Sequence, residues 1–210
     1  MTFYSFCKRL LQKTILRMWR VEIINPENEP TEGALVCANH ISNIDPVIIC
    51  ASLKNQIRFM AKKELFSIPI LGSMLKAFGS FPVNRGSVDM TAMKTALNLL
   101  ENNNYVGMFP QGTRCSGIEP KDSKIKGGVG MILSRVETDI LPIAIITKGN
   151  KFMLGNKVYV VLGEVIKYSE IEFTEKKREE FDRITKLIFD RICNIHEQYA
   201  YLKEDKEKSK

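Results

Sequence analysis

The chain has 210 residues, 44% hydrophobic and 26% charged, with a formal charge of +7 and a pI near 9.1. That is room for one domain with a substantial core, and the composition excludes wholesale disorder. The basic excess suits an anionic partner (nucleic acid, an acidic membrane face or a phosphorylated substrate) without choosing among them.

Five cysteines (Cys7, Cys37, Cys50, Cys115 and Cys193) lie far apart, form no CxxC pair and are odd in number. Buried reduced thiols and a reducing compartment are the expected reading. The two histidines, His40 and His196, have no ligand spacing to them, so no zinc site is expected. The longest notable charge-free apolar stretch, Leu65 to Leu75, has 11 residues, against about 20 needed to cross a bilayer. No secretory h-region is evident, and no transmembrane span is predicted.

In chain order, residues 3–20 predict an amphipathic helix. Phe3, Phe6, Cys7, Leu10, Leu11, Ile15, Met18 and Trp19 recur at helical spacing, and Arg9, Lys13, Arg17 and Arg20 share the other face. Such a helix either packs on its own domain or lies among lipid headgroups, and Trp19 with the absence of acids before position 22 favours the membrane. NPENEPTEG at 25–33 is a polar turn. Ala34 to Ala38 predicts a short buried strand, and Asp45-Pro46 opens a helix to about Leu53. A strand is expected at 57–61, then an apolar segment at 65–81 broken by Pro69 and Gly72. Helix follows at 88–102, strand at 105–109, helix near 128–136, strands at 140–147 and 157–162, and a long amphipathic helix over 174–202. This alternation predicts an α/β fold: one domain, a central mixed sheet flanked by helices, with sites on loops after strands.

Three segments carry residues suited to chemistry. In Asn39-His40-Ile41-Ser42-Asn43-Ile44-Asp45, a strand delivers His40 to a loop and a helix begins five residues later at Asp45. Across a strand-to-helix turn the two side chains can meet, and a carboxylate on one imidazole nitrogen fixes the tautomer while the other accepts a proton. A general base of this kind is worth about 10²–10⁴-fold in rate. The same residues also read as a hydrogen-bonded strand end and a routine helix cap. Phe109-Pro110-Gln111-Gly112-Thr113-Arg114 and Phe81-Pro82-Val83-Asn84-Arg85-Gly86 each place an arginine, a fork of donors matched to phosphate, on a turn after an apolar strand. Lys62 and Lys63 add nearby charge. Lys126-Gly127-Gly128-Val129-Gly130 reads as a weak anion cradle or, better, as tight helix packing.

Together these segments resemble the glycerolipid acyltransferase family, specifically the 1-acylglycerol-3-phosphate acyltransferases. NHISNID is similar to the family's His-x4-Asp block, FPVNR to its Arg block, FPQGTR to the block usually written FPEGTR, and Leu141 to Ile145 (LPIAI) to its final strand. Ala61-Lys62-Lys63-Glu64-Leu65 resembles the linking segment, and the likeness spans roughly 34–150.

The resemblance implies His40 as general base and Asp45 as its orienting partner. Lys62, Arg85 and Arg114 would hold the acceptor's phosphate, and Gly112 and Thr113 would shape the pocket. Gln111 departs from the pattern: it keeps the length and the carbonyl acceptor of glutamate but loses the charge. His196 has no role in this scheme and reads as a surface or packing residue.

The implied organisation is an N-terminal membrane-associating helix over 1–24, an acyltransferase domain over 25–202 and a charged flexible tail over 203–210. The implied reaction moves an acyl group from acyl-CoA or an acyl-carrier protein to lysophosphatidic acid, with no metal or cofactor. The expected place is the cytoplasmic face of a membrane with an anionic surface, and no nucleic-acid partner is expected. The alternatives are transfer to glycerol 3-phosphate or another lysophospholipid, or a catalytically silent lipid-binding protein.

Overall fold

The computed structural model describes residues 8–9, 12–84, 89–153, 155–174 and 177–204. Seven strands form one sheet: β1 (Val21–Ile24), β2 (Leu35–Ala38), β3 (Ile57–Lys62), β4 (Phe81–Val83), β5 (Tyr105–Met108), β6 (Ile140–Thr147) and β7 (Val158–Leu162). Their order is β1-β7-β6-β2-β5-β3-β4. The five strands from β6 to β4 run parallel, and β7 turns back antiparallel on β6 with β1 parallel to it. The sheet is therefore mixed, as expected.

Parallel strands covered on both faces read as unbroken apolar runs, and β2, β6 and β7 are buried at every position. Side chains still alternate between faces. Val36 and Ala38 join one core cluster with α1 (Asp45–Ser52), while Leu35 and Cys37 join the other, under α3 (Met90–Glu101), α4 (Gly128–Leu133) and α5 (Arg178–Gln198). The apolar 65–81 segment resolves into a 3₁₀ turn, the helix α2 (Leu71–Ala77) and the start of β4.

The strand β1 was not among the expected elements. Its four residues, VEII, are only partly buried, and they follow directly on a helical apolar pattern. In the structure they pair with Val158 to Val161 at the sheet's edge. Ahead of it, Gln12–Leu16 forms a single π-helical turn continued by Arg17 and Met18. Gln12 Nε2 donates to Ala51 O at 3.1 Å and Lys8 Nζ to Lys54 O, so this segment supplies donors to carbonyls at and just beyond the end of α1. Ile15 and Trp19 pack on the core, and Arg9, Lys13, Arg17 and Arg20 are exposed. Phe3, Phe6, Cys7, Leu10 and Leu11, and the tail from 205 onward, lie outside the described residues. No described helix is long and apolar enough to cross a membrane.

Candidate active site at the carboxyl edge of the sheet

Sheet order decides what the candidate residues can share. His40 leaves the carboxyl end of β2, and its neighbour β5 delivers Phe109 to Arg114 at the same edge. One strand further, β3 ends at Lys62, and beyond it β4 leads to Arg85. Segments distant in sequence are thus set side by side in a row. This is the edge at which open α/β sheets bind ligands.

His40 Nδ1 lies 2.6 Å from Asp45 Oδ2, which makes Nδ1 the protonated nitrogen. The same carboxylate oxygen accepts the backbone N–H groups of Ile41 at 2.7 Å and Ser42 at 2.8 Å, so the turn is wound around it. All three donors fall on Oδ2, leaving Oδ1 buried and without a partner among the described residues. Burial pushes the Asp45 carboxyl up, against the opposing bonds from His40, Ser42 and Ile41. His40 Nε2 has no hydrogen-bond partner among the described residues and is the nitrogen left to accept a proton.

Two devices missed by sequence reasoning hold the imidazole plane. Phe109 stacks on it with ring centroids 4.0 Å apart and planes 15° apart, and Phe59 continues the stack behind Phe109 at 5.4 Å. Gln111, buried, accepts the His40 backbone N–H through Oε1 at 2.5 Å and donates through Nε2 to Ser123 Oγ at 2.7 Å. The Ser123 hydroxyl donates in turn to Pro120 O at 2.6 Å. Cys115 N–H donates to His40 O at 2.8 Å, closing the contact between the two loops.

Asn39 is a third anchor. Its amide donates to Ile145 O at 2.9 Å and accepts Ile145 N–H at 2.7 Å, extending the β2–β6 pairing where β2 ends. The signal in the sequence was its place between a buried strand and His40. Buried backbone groups must be paired, and a side-chain amide is the one group that matches both.

Gly112, Thr113 and Arg114 are exposed on the loop after β5. Gly112 has φ +64, and a Cβ there would meet Lys126 Cδ at 2.9 Å. The Lys126 stem thus runs over this turn, and its N–H donates to Pro110 O at 2.8 Å. Lys62 is half exposed and 3.4 Å from Glu64. Arg85 lies outside the described residues; its flanks are tied together by Asp89, which accepts from Asn84, Thr91 and Ala92. At the Lys126-Gly130 stretch the packing reading holds. A Cβ on Gly130 would fall 2.2 Å from Phe181 O, and Gly130 N–H donates to Thr185 Oγ1 at 2.9 Å.

The thiols offer no rival nucleophile among the described residues. Cys37, Cys50 and Cys115 are buried, and burial pushes the Cys50 thiol up to about 12 and that of half-buried Cys193 to about 11. His196 is buried rather than exposed, with Nε2 3.1 Å from Asn150 Oδ1 and Nδ1 3.5 Å from Glu119.

Residues 20–146 match the model of the family described as Acyltransferase. A 1-acyl-sn-glycerol-3-phosphate acyltransferase of Bacillus subtilis is 30% identical over 95% of this chain and 100% of its own length. One from Streptococcus pneumoniae is 30% identical over 67% of this chain, which spans about half (53%) of that protein. Among solved structures, the 1-acyl-sn-glycerophosphate acyltransferase of Thermotoga maritima has the same fold, with a TM-score of 0.70 at 21% identity, covering 94% of this chain and 81% of that one.

Proposed function

The chain belongs to the acyltransferase family, and from that premise we propose that it transfers a fatty acyl group from a thioester to the free hydroxyl of 1-acylglycerol 3-phosphate, giving phosphatidic acid. The thioester is acyl-CoA or an acyl-carrier protein. The Bacillus and Streptococcus relatives carry this activity in their names. The observation that supports it best is the buried His40–Asp45 pair, 2.6 Å apart, at the edge that also presents Arg114 and Lys62.

His40 Nε2 takes the proton from the acceptor hydroxyl as that oxygen attacks the thioester carbonyl. Asp45 stabilises the imidazolium that forms. The tetrahedral intermediate expels the thiolate, which recovers the proton from His40. Phe109 and Gln111 keep the ring in register and do not react. Arg114, Lys62 and Arg85 hold the phosphate, which sets the acceptor hydroxyl against Nε2. Lys126, whose stem crosses the Gly112 turn, adds a cation there.

The acyl chain's path begins at a small apolar cleft of about 40 Å³ lined by Pro46, Val47, Phe59, Met74, Leu75 and Phe78. It opens beside the ring stack because Phe59 belongs to both. Both the acceptor and the product are amphiphiles, so the proposed reaction belongs at a membrane surface.

The deciding experiment is release of free thiol from an acyl thioester in the presence of lysophosphatidic acid. The wild type is expected to turn over and His40→Ala to fall to background while remaining folded by circular dichroism. Full turnover by that variant would discard the mechanism.

A further inference from the structure

Among the described residues, the large apolar side chains left exposed all sit at one end of the sheet. Ile68 and Ile70 follow β3, Met90 follows β4, Ile118 follows β5 and Met153 follows β6; Met18 precedes β1, which enters from the same edge. Tyr201 follows α5, whose His196 bonds Asn150 just past β6. At the opposite edge, the apolar residues in the turns are buried (Leu53, Val136) or partly buried (Val165, Phe173).

Charge leans the same way without dividing cleanly. The edge that bears His40 exposes Arg17, Lys62, Lys63, Arg114, Lys148 and Lys151 against Glu64 and Asp122, whereas the far edge exposes Glu27, Glu32, Glu137, Glu164 and Glu172 against Lys54, Arg135 and Lys167. Such a molecule is oriented by an anionic plane before it touches it.

Ile70 is the extreme case: it is 84% exposed, at φ +66 and ψ −57. Leu71 N–H donates to Pro69 O at 2.7 Å, so Ile70 is the centre of a γ-turn of the rarer, positive-φ hand. A β-branched residue in that region is strained. Glycine would serve the backbone better, and solvent gives no return for the isoleucine side chain. The turn is worth its strain if the side chain meets something apolar outside the molecule.

We propose that this edge docks on an anionic lipid bilayer, with Ile70 as the inserted tip, Ile68 two residues before it, Met18 and Met153 as further tips along the same edge, and the lysines and arginines among the headgroups. The apolar tips are single side chains from separate loops with cations between them. This pattern fits a fluid interface, which closes around each tip, better than a shaped protein pocket. The choice of a bilayer as occupant rests on the reading of the acceptor as a lipid. The face also turns the open side of His40 toward the layer that holds that acceptor.

The test uses the full-length protein and vesicles of equal parts phosphatidylglycerol and phosphatidylcholine. Ile70→Ser is expected to weaken vesicle binding roughly tenfold, the scale of one buried isoleucine, with no change in turnover of a short-chain, monomeric lysophosphatidic acid. Ile70→Gly is expected to raise the melting temperature by relieving the positive φ while losing vesicle binding as the serine variant does, which separates docking from folding. In an Ile70→Trp variant, emission is expected to shift to the blue on vesicle addition and to be quenched by brominated lipid. Vesicle affinity unchanged in both Ile70→Ser and Ile70→Gly would overturn the docking face. So would loss, in Ile70→Ser, of a concentration-dependent dimer, because the edge would then meet a second copy of the chain. Intact vesicle binding without thiol release from any acceptor would instead remove the proposed reaction and leave the docking face standing.

Discussion

Gln111 Oε1 accepts the backbone N–H of His40 at 2.5 Å, and the other end of the same buried amide donates to Ser123. One neutral side chain therefore ties the histidine loop to the segment after β5 and braces that segment on Ser123, beside the second inter-loop bond from Cys115 N–H to His40 O. Glutamine fits because Ser123 already gives its proton to Pro120 O and has only lone pairs to offer. A glutamate would find an acceptor where it needs a donor.

Gln111→Ala leaves the His40 N–H buried and unpaired, a cost of about 1–3 kcal/mol. The expected result is a lower melting temperature and a fall in kcat with little change in acceptor KM. In Gln111→Glu the serine must turn its proton to the carboxylate and abandon Pro120 O. Ser123→Ala should therefore be more damaging in the Gln111→Glu background than in the wild type. A double-mutant cycle on stability reads this coupling, and strict additivity would contradict it.

Asp45→Asn keeps an oxygen where Ile41, Ser42 and His40 donate, because the two backbone N–H groups hold an acceptor there. What it loses is the charge facing the imidazolium. Its kcat is expected to fall on the order of 10²-fold, while His40→Ala falls to background. Single-turnover rates separate the two, and a wild-type rate in Asp45→Asn would mean that Asp45 matters for geometry alone.

Asn39→Ala removes two buried bonds at once and strands both the N–H and the C=O of Ile145. At about 1–3 kcal/mol for each unpaired group, the loss should show as an early urea midpoint. Asn39→Asp is expected to be worse, since it keeps the acceptor but loses the donor and buries a charge. A midpoint within error of the wild type would show that the β2–β6 junction does not depend on this side chain.

His196 is a buried neutral imidazole. Burial, with Lys203 adding to it against Glu119, pushes it down to about 4 from an ordinary 6.5. The unfolded chain therefore binds this proton first, so the stabilisation is complete above pH 6.5 and is lost as pH falls toward 4. Over that window the loss is about 3 kcal/mol. Urea titrations from pH 7 to 4 should give a shallower slope for His196→Gln than for the wild type; parallel slopes would place the acid sensitivity elsewhere.

Arg114→Ala is expected to raise the acceptor KM several-fold with kcat largely held, because the loss is of binding shared by ground and transition states. Competition with glycerol 3-phosphate would show whether the cation reads the phosphate or the acyl glycerol. A kcat-only effect would remove Arg114 from the phosphate site.

What could be read in advance followed the physics of short range. The His40–Asp45 pair is five residues apart across one turn, and the buried strands announce themselves by uninterrupted apolar runs, so both were legible. The strand β1 was not: four residues at a sheet edge, three of them partly buried and Glu22 exposed, carry no period of their own. The Phe109 stack and the Gln111 bridge depend on β5 lying next to β2, a pairing no local pattern encodes. Helix ends were overrun for a related reason. The pattern over 174–202 continues past Gln198, but the chain tightens there into a 3₁₀ turn at Ala200–Glu204, where Lys203 reaches Glu119.

The adjacency of β2 and β5 also bears on how the site matures during folding. The histidine and its carboxylate are assembled by one turn and need no distant partner, whereas the ring stack, the amide bridge and the arginine loop arrive only when the chain has travelled to β4 and back to insert β5 between β3 and β2. Contacts of such sequence separation form late, because the entropy of closing the intervening loop must be met first. A newly made chain is thus expected to hold the proton-transfer pair before it can grip a phosphate, so activity emerges no earlier than the insertion of β5, rather than with the first turn.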